Sequence, residues 1–132
     1  MIGLDSDIII SILRKMGDYK SLLKKLSSEE ICTSEIVIYE ILYGLYASRD
    51  FSERRIKEFE AIMDTFSYIF PIDRKASENA AKIGGKLSRQ GKIVGHSDIL
   101  IAGSLLANGC NIFATNNIKH FENIKELELI KL

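Results

Sequence analysis

The sequence predicts an α/β fold, specifically a three-layer α/β/α sandwich around a short-stranded, mainly parallel sheet. Short apolar runs alternate with longer segments of helical periodicity, and this order is typical of a parallel sheet covered by helices on both faces. The chain has 132 residues, 46% of them hydrophobic, which is enough to bury a core without disulfides or a structural metal. Because no repeat, linker or low-complexity segment divides it, we expect a single domain over residues 1–132.

The first half of the chain opens on a strand. Ile2-Gly3-Leu4 fits a buried strand that begins right after the first methionine, and Thr33 or Ser34 is expected to cap the longest apolar helix of this half. The other elements expected here are a helix from Ile8 to Leu13 with a basic end at Arg14 and Lys15, an amphipathic helix 19–26 with Leu22, Leu23 and Leu26 inward, a strand 30–33, the helix 35–47, a charged helix 53–66 and a strand 68–70.

The second half is punctuated by its proline and glycines. Pro71, the only proline, ends the strand 68–70, while Gly91 and Gly109 are expected to stop two long helices. The elements expected here are a helix 73–90, a near-continuously apolar helix 97–108, a strand 111–114, a helical turn within 118–124 and a last strand 127–130.

Composition limits the classes of function. The formal net charge is zero, so the whole protein exerts no attraction on nucleic acid, although a local basic stripe can still do so. No apolar run approaches the roughly 20 residues of a membrane span, and the N-terminus shows no basic flank or cleavage site for secretion. We therefore expect a cytoplasmic protein with no membrane partner, and two reduced core cysteines, Cys32 and Cys110. A zinc site combining them with His96 and His120 is the alternative, but no pair has close ligand spacing.

Two carboxylates lie where the first strand passes into the first helix. Asp5 and Asp7 flank Ser6 between two apolar runs. In an open α/β sheet, ligands bind just beyond the carboxyl ends of the strands, which favours a functional site. The alternative is that Ser6 or Asp7 simply caps the helix. This stretch alone does not distinguish the two.

Further polar residues interrupt apolar elements. Glu40 lies within an apolar helix, Asp98 opens another, and Asn116 and Asn117 follow the fourth strand. Alternatively, Asp98 caps its helix, Glu40 points outward, and the asparagines are turn residues. Because the carboxyl ends of parallel strands meet at one edge, however, Asp5 and Asn116 should lie close together, and the start of the Asp98 helix is expected at the same edge.

A cluster of partly buried carboxylates needs compensation. Like charges raise one another's pKa, and burial disfavours ionisation. A hard divalent cation with oxygen ligands, Mg²⁺ or Mn²⁺, compensates directly and suits phosphodiester hydrolysis. No serine–histidine arrangement, glycine-rich phosphate loop or metalloprotease helix competes with this interpretation.

A basic helix face is a candidate for binding the phosphate backbone. Lys82, Lys86 and Arg89 have i, i+4, i+7 spacing and share one face of the predicted helix 73–90. An ordinary solvated helix face is the more common explanation of such a stripe.

With these residues in place, the chain resembles PIN-domain proteins and, more narrowly, VapC-type toxin ribonucleases. The resemblance covers essentially the whole chain. Four segments carry it in order, namely Leu-Asp-Ser-Asp-Ile-Ile-Ile at 4–10, Thr-Ser-Glu-Ile-Val-Ile-Tyr-Glu-Ile-Leu-Tyr-Gly at 33–44, Asp-Ile-Leu-Ile-Ala-Gly at 98–103 and Ile-Phe-Ala-Thr-Asn-Asn-Ile-Lys-His-Phe at 112–121. The resemblance implies a parallel sheet with helices on both faces, a homodimer, a cognate antitoxin, and cleavage of RNA, commonly transfer RNA.

The resemblance also implies the roles of individual residues. Asp5, Glu40 and Asp98 correspond to the family's metal-binding and catalytic acids. Many relatives carry a fourth acid at the position of Asn117 or of His120, and neither is acidic here, so one Mg²⁺ or Mn²⁺ is expected and a second is in doubt. The neighbours expected to contact water or substrate around these acids are Asp7, Thr115, Asn116, Asn117 and His120.

Two alternatives belong to other classes of function. A PIN fold that has lost activity and acts by dimerisation, RNA binding or partner binding is one, and the missing fourth acid motivates it. The other is a haloacid-dehalogenase-like phosphatase with Asp5 as nucleophile and Asp7 as its acid partner; the spacing fits, but no later acidic pair or cap insertion accompanies it.

Overall fold

A parallel sheet lies at the centre of the molecule. The computed structural model describes residues 1–132 and contains five strands in the order β3-β2-β1-β4-β5, with every neighbouring pair parallel. The strands are β1 Ile2–Leu4, β2 Ile31–Ser34, β3 Tyr68–Phe70, β4 Ile112–Ala114 and β5 Glu128–Ile130. The helices are α1 Ser6–Leu13, α2 Tyr19–Leu26, α3 Glu35–Ala47, α4 Glu53–Met63, α5 Arg74–Arg89, α6 His96–Ala107 and α7 Ile118–Phe121.

The strand order explains the layers. The chain moves outward from β1 to β3, crosses back through α5 and α6, and continues on the other side of β1 to β5. Because parallel crossovers are right-handed, this reversal puts α1–α4 on one face and the α5–α6 pair on the other. The predicted α/β/α sandwich is therefore confirmed.

Helix boundaries follow local capping. The predicted bounds of α2, α3 and β3 are confirmed, and Ser34 caps α3 through its side chain. The helix α1 begins at Ser6, earlier than predicted. It ends at Leu13, so the basic residues Arg14 and Lys15 lie beyond it. The predicted end of α4 at Phe66 was wrong. Beyond Met63 the chain forms a tighter turn, in which the Phe66 N–H donates a hydrogen bond to the Met63 carbonyl.

The exposed apolar residues of α2 and α3 include one that was predicted to face inward. Leu26 is buried, but Leu23 is 44% exposed, so its predicted inward position was wrong. On the apolar helix α3, Tyr39 and Tyr43 are both exposed. No helix is long and apolar enough to cross a membrane.

Two glycines allow close packing near the centre. Gly3 in β1 lies against Leu105 and Phe113, where an added Cβ would come within 3.2 Å of both side chains. At Gly103 in α6, an added Cβ would lie 2.7 Å from the Ala80 backbone nitrogen of α5. The close α5–α6 contact therefore depends on the missing side chain of Gly103.

The sheet places the ends of β1 and β4 side by side. Leu4 is the register partner of Ala114, and each is the last residue of its strand. The next residues, Asp5 and Thr115, consequently emerge together at the carboxyl edge.

A candidate active site at the carboxyl edge of the sheet

Asp5 is a helix cap and a buried acid at once. Only 4% of the residue is exposed. Its Oδ1 accepts a 2.8 Å hydrogen bond from the Ser6 N–H, which makes Asp5 itself the N-cap of α1. The cap position therefore belongs to Asp5 and not to Ser6 or Asp7, although Asp7 also satisfies a first-turn amide, that of Ile8. The same side chain also reaches across the edge of the sheet, because its Oδ2 accepts a 2.7 Å bond from the Thr115 hydroxyl.

Thr115 connects Asp5 to the loop after β4. Its side chain is fully buried, and its hydroxyl oxygen accepts a 3.0 Å bond from the Asn117 N–H while donating to Asp5. Asn117 occupies the N-cap position of α7, but its side chain makes no capping hydrogen bond. One buried hydroxyl thus sets the orientation of the carboxylate from the neighbouring strand.

Asp7 has a positional role. Its Oδ2 accepts a 2.8 Å bond from the Asn116 N–H, and its Oδ1 accepts one from the Ile8 N–H. Both carboxylate oxygens therefore bind backbone, and they tie the start of α1 to the loop after β4. Both oxygens are thus engaged by backbone donors, which disfavours the acid role that the phosphatase alternative assigns to Asp7.

Glu40 approaches the same edge from α3. The helix begins directly at the end of β2, with Ser34 accepting from the Ile36 N–H. The Glu40 side chain is half-buried, and it lies close enough to Asp5 and Asp98 for their charges to act on it. The alternative of an outward-pointing Glu40 does not match this position.

Asp98 lies in the first turn of α6 and does not occupy its cap position. Gly95 is the N-cap and provides no side-chain bond, while the Asp98 side chain is 20% exposed. Its Oδ2 is 3.4 Å from Nδ1 of His120, whose side chain is 62% exposed. His120 therefore borders the acidic site on its open side.

Burial raises the pKa of all three acids, and their neighbours modify the effect. The pKa of Asp5 is raised by burial, lowered by the hydrogen bonds from Thr115 and Ser6, and raised again by the charges of Asp7 and Asp98. The pKa of Glu40 is raised by burial and by the charge of Asp5, against a lowering by Ser6. Burial raises the pKa of Asp98, and His120 lowers it.

The donor set suits a hard divalent cation. As the side chains stand, no three His, Cys, Asp or Glu groups are close enough together to hold a metal ion. The three acids nevertheless act electrostatically on one another, and their oxygens are the ligand type that Mg²⁺ and Mn²⁺ prefer. A cation among Asp5, Glu40 and Asp98 would reverse the repulsion and the burial penalty that raise their pKa values.

The predicted basic stripe lies outside this cluster. Lys82, Lys86 and Arg89 are exposed on α5, and Lys86 is 3.8 Å from the Glu126 carboxylate. No ion pair joins the stripe to the three acids.

Sequence reasoning missed two hydroxyl groups near the acids. Ser6 was considered only as a cap, yet its side chain acts on Glu40. Thr33 is fully buried and donates a 2.8 Å bond to the Leu4 carbonyl, next to Asp5. The sequence does offer a signal for Ser6, because this residue directly follows Asp5. It offers no signal for Thr33, because only the sheet register brings Thr33 to Leu4.

Comparison with known proteins identifies the family. The PIN domain family model matches residues 2–127. The "Ribonuclease VapC2" of Haemophilus influenzae is 28% identical over 123 residues, covering 92% of this chain and 89% of that protein. The "tRNA(fMet)-specific endonuclease VapC" of Shigella flexneri is also 28% identical, with the same coverage. The solved VapBC2 complex of Rickettsia felis bound to promoter DNA aligns with a TM-score of 0.85 and 28% identity over 100% of this chain and 99% of that one. The predicted family is therefore confirmed, and this chain belongs to the PIN domain family.

Proposed function

We propose that this protein is a metal-dependent endoribonuclease that hydrolyses RNA phosphodiester bonds as the toxin of a toxin–antitoxin pair. One observation carries the proposal: three acids with raised pKa values, Asp5, Glu40 and Asp98, lie within electrostatic reach of one another at the carboxyl edge of a PIN-family sheet. Relatives named as VapC ribonucleases support RNA as the substrate class, and transfer RNA is a candidate because two relatives are named as tRNA(fMet)-specific endonucleases.

In the proposed mechanism, Asp5, Glu40 and Asp98 would hold one Mg²⁺ or Mn²⁺. The bound cation supplies Lewis-acid stabilisation of the phosphoryl oxygens and lowers the pKa of water. A second ion is not proposed, because neither Asn117 nor His120 is acidic, at the positions where the resemblance to the family implies a further acid.

The chain's own residues prepare the site before substrate arrives. The Thr115 hydroxyl and the Ser6 N–H each bind one of the two Asp5 oxygens, so little reorganisation is needed in the reaction. Glu40 lies less deeply buried than Asp5, and we assign its carboxylate to orienting the attacking water. His120, exposed beside Asp98, is assigned to a hydrogen bond with the RNA.

Relatives support an antitoxin protein as the partner. Solved VapBC complexes from Rickettsia felis and Salmonella typhimurium, both bound to DNA, align over 100% and 98% of this chain with TM-scores of 0.85 and 0.84. We extend the antitoxin partnership to this chain, together with a homodimer. The stripe of Lys82, Lys86 and Arg89 is only a secondary candidate for RNA contact. One of its three cations, Lys86, already pairs with Glu126.

A catalytically inactive PIN module is the second candidate. The amide of Asn117 and the imidazole of His120 in place of an acid favour it. Such a module would bind RNA or a partner without cleaving RNA.

Induced expression in a bacterial host distinguishes the two. The nuclease proposal predicts growth arrest with the wild type, loss of arrest with Asp98→Asn, and arrest retained with Asp64→Asn, an exposed acid after α4. Arrest that persists in Asp98→Asn at equal protein level would reject the nuclease mechanism. An absence of arrest together with intact cellular RNA would favour the inactive module.

A further inference from the structure

The two cysteines form a contact that the proposed nuclease chemistry does not use. Cys32 and Cys110 are 0% and 1% exposed, and their sulfur atoms lie 3.4 Å apart. Both are free thiols. A disulfide bond is about 2.05 Å long, so the two sulfur atoms would have to move about 1.4 Å closer together to form one.

The pair spans the central strand of the sheet. Cys32 belongs to β2 and is the register partner of Gly3 in β1, whereas Cys110 lies two residues before β4, on the other side of β1. A bond between them would join two segments 78 residues apart in sequence and would hold β1 between its two neighbours.

The surroundings distinguish the two sulfur atoms. Cys32 donates its S–H to Cys110, while the Cys110 Sγ lies 3.4 Å from the Ile112 carbonyl and 4.0 Å from the Met1 carbonyl. The hydrogen bond from Cys32 lowers the pKa of Cys110, and the same contact raises the pKa of Cys32. Since the thiolate is the reactive species, the first attack is assigned to the Cys110 sulfur.

We propose that Cys32 and Cys110 are an oxidation site, at which hydrogen peroxide converts the thiol pair into an intramolecular disulfide. The Cys110 sulfur attacks a peroxide oxygen, breaks the O–O bond and becomes a sulfenic acid with release of one water. The Cys32 sulfur then displaces the hydroxyl from Cys110, so that the S–S bond forms and a second water leaves. Two thiols are oxidised by two electrons, one hydrogen peroxide is reduced, and both thiol protons end in water.

The test treats the folded, full-length protein with hydrogen peroxide. We expect the thiols that are titratable after denaturation to fall from two to none, the mass to fall by that of two hydrogen atoms, and the monomer to be retained on a non-reducing gel. A thiol reductant should restore both thiols. The midpoint of urea unfolding should rise in the oxidised form, because the bond closes a long loop in the unfolded chain.

Single variants supply the controls. Cys32→Ala and Cys110→Ala each keep one thiol and should show neither the mass loss nor the shift in midpoint. The second measurement is protease mapping of the oxidised wild type, which should recover one pair of peptides joined through Cys32 and Cys110. This result does not depend on how well either variant folds. Two thiols that remain free, sulfurs that only gain oxygen, or covalent dimers in place of the internal bond would each overturn the proposal.

Discussion

The Thr115 hydroxyl donates a 2.7 Å hydrogen bond to the Asp5 carboxylate across the ends of two parallel strands. Both residues are buried. The bond lowers the pKa of Asp5 against the larger raising effect of burial. This contact joins the fold to the proposed chemistry, because the pairing of β1 with β4 places an oxygen donor beside an acid that is costly to ionise.

Removing that donor should shift the pH response of the site. In Thr115→Val the pKa of Asp5 rises further, so the acid limb of the pH–cleavage profile moves to higher pH. The variant should also lose about 1–3 kcal/mol of unfolding free energy, because a buried acceptor loses its partner. The measurements are the pH profile of RNA cleavage and urea denaturation.

Thr33→Val is the matched control. Thr33 is equally buried, but its hydroxyl donates to the Leu4 carbonyl and not to a carboxylate. A comparable loss of stability with an unmoved acid limb is expected. If both variants shift the pH profile alike, the role of Thr115 towards Asp5 is disproved.

The three acids should make the protein less stable as pH rises. The folded-state pKa values of Asp5, Glu40 and Asp98 lie above their ordinary values. On raising the pH, the unfolded chain therefore releases these protons first. The stability that they contribute is complete below their unfolded pKa values, near 4, and is lost as the pH rises through the folded values.

Neutral replacements should remove this loss. Glu40→Gln and Asp98→Asn are expected to unfold at higher temperature than the wild type near neutral pH, with the difference vanishing in acid. Glu60→Gln, on the exposed surface of α4, should leave the curve unchanged. Thermal unfolding across the pH range checks this, and equal destabilisation of both site variants at neutral pH would contradict it.

Divalent cations should stabilise the fold independently of cleavage. Binding among Asp5, Glu40 and Asp98 offsets their mutual repulsion, and a ligand at 100 times its Kd adds about 2.7 kcal/mol to the free energy of unfolding. Thermal unfolding with MnCl₂ or MgCl₂, against KCl at equal ionic strength, measures the effect. Asp98→Asn should reduce the shift, and a rise that is identical in KCl or unaffected by Asp98→Asn would argue against a metal site.

The α5–α6 contact should not tolerate a larger residue at position 103. An added Cβ would meet the Ala80 backbone nitrogen at 2.7 Å and the Ala76 carbonyl at 2.8 Å, so Gly103→Ala is expected to cost about 1–3 kcal/mol through overpacking. Gly44→Ala in α3 is the control. An added Cβ there meets nothing within 4 Å, and alanine should stabilise that helix by about 0.5–1 kcal/mol. Urea unfolding of both variants decides the point, and a neutral Gly103→Ala would contradict the packing.

Periodicity and punctuation predicted the layers and most boundaries, because these depend on local signals. Gly91 and Gly109 take positive φ after α5 and α6, and Ser34 caps α3, as their residue types indicate. Local signals do not specify how a helix end tightens, so the prediction for α4 was three residues too long. They also do not specify which side of a short helix remains exposed, and Leu23 was misplaced for that reason.

The approach of the acids was predictable only through topology. Asp5 and Thr115 share an edge because β1 pairs with β4, and a parallel sheet brings such ends together. The partners of each side chain were not predictable. Asp7 binds the Asn116 N–H, and Thr33 binds the Leu4 carbonyl, through registers that the sequence pattern does not encode. The catalytic roles of the acids and of their neighbours stay predictions.

The most direct test of the central proposal is cleavage of purified cellular RNA by the wild type, Asp5→Asn and Asp73→Asn, each with and without Mg²⁺. Asp73 is the matched control, because like Asp5 it caps a helix through its side chain, at the start of α5, and asparagine preserves such a cap. Wild type and Asp73→Asn should cleave RNA only with Mg²⁺, and Asp5→Asn should lose activity on the order of 100-fold or more. Equal cleavage by Asp5→Asn and the wild type, or cleavage unaffected by removal of the metal, would contradict the proposed site.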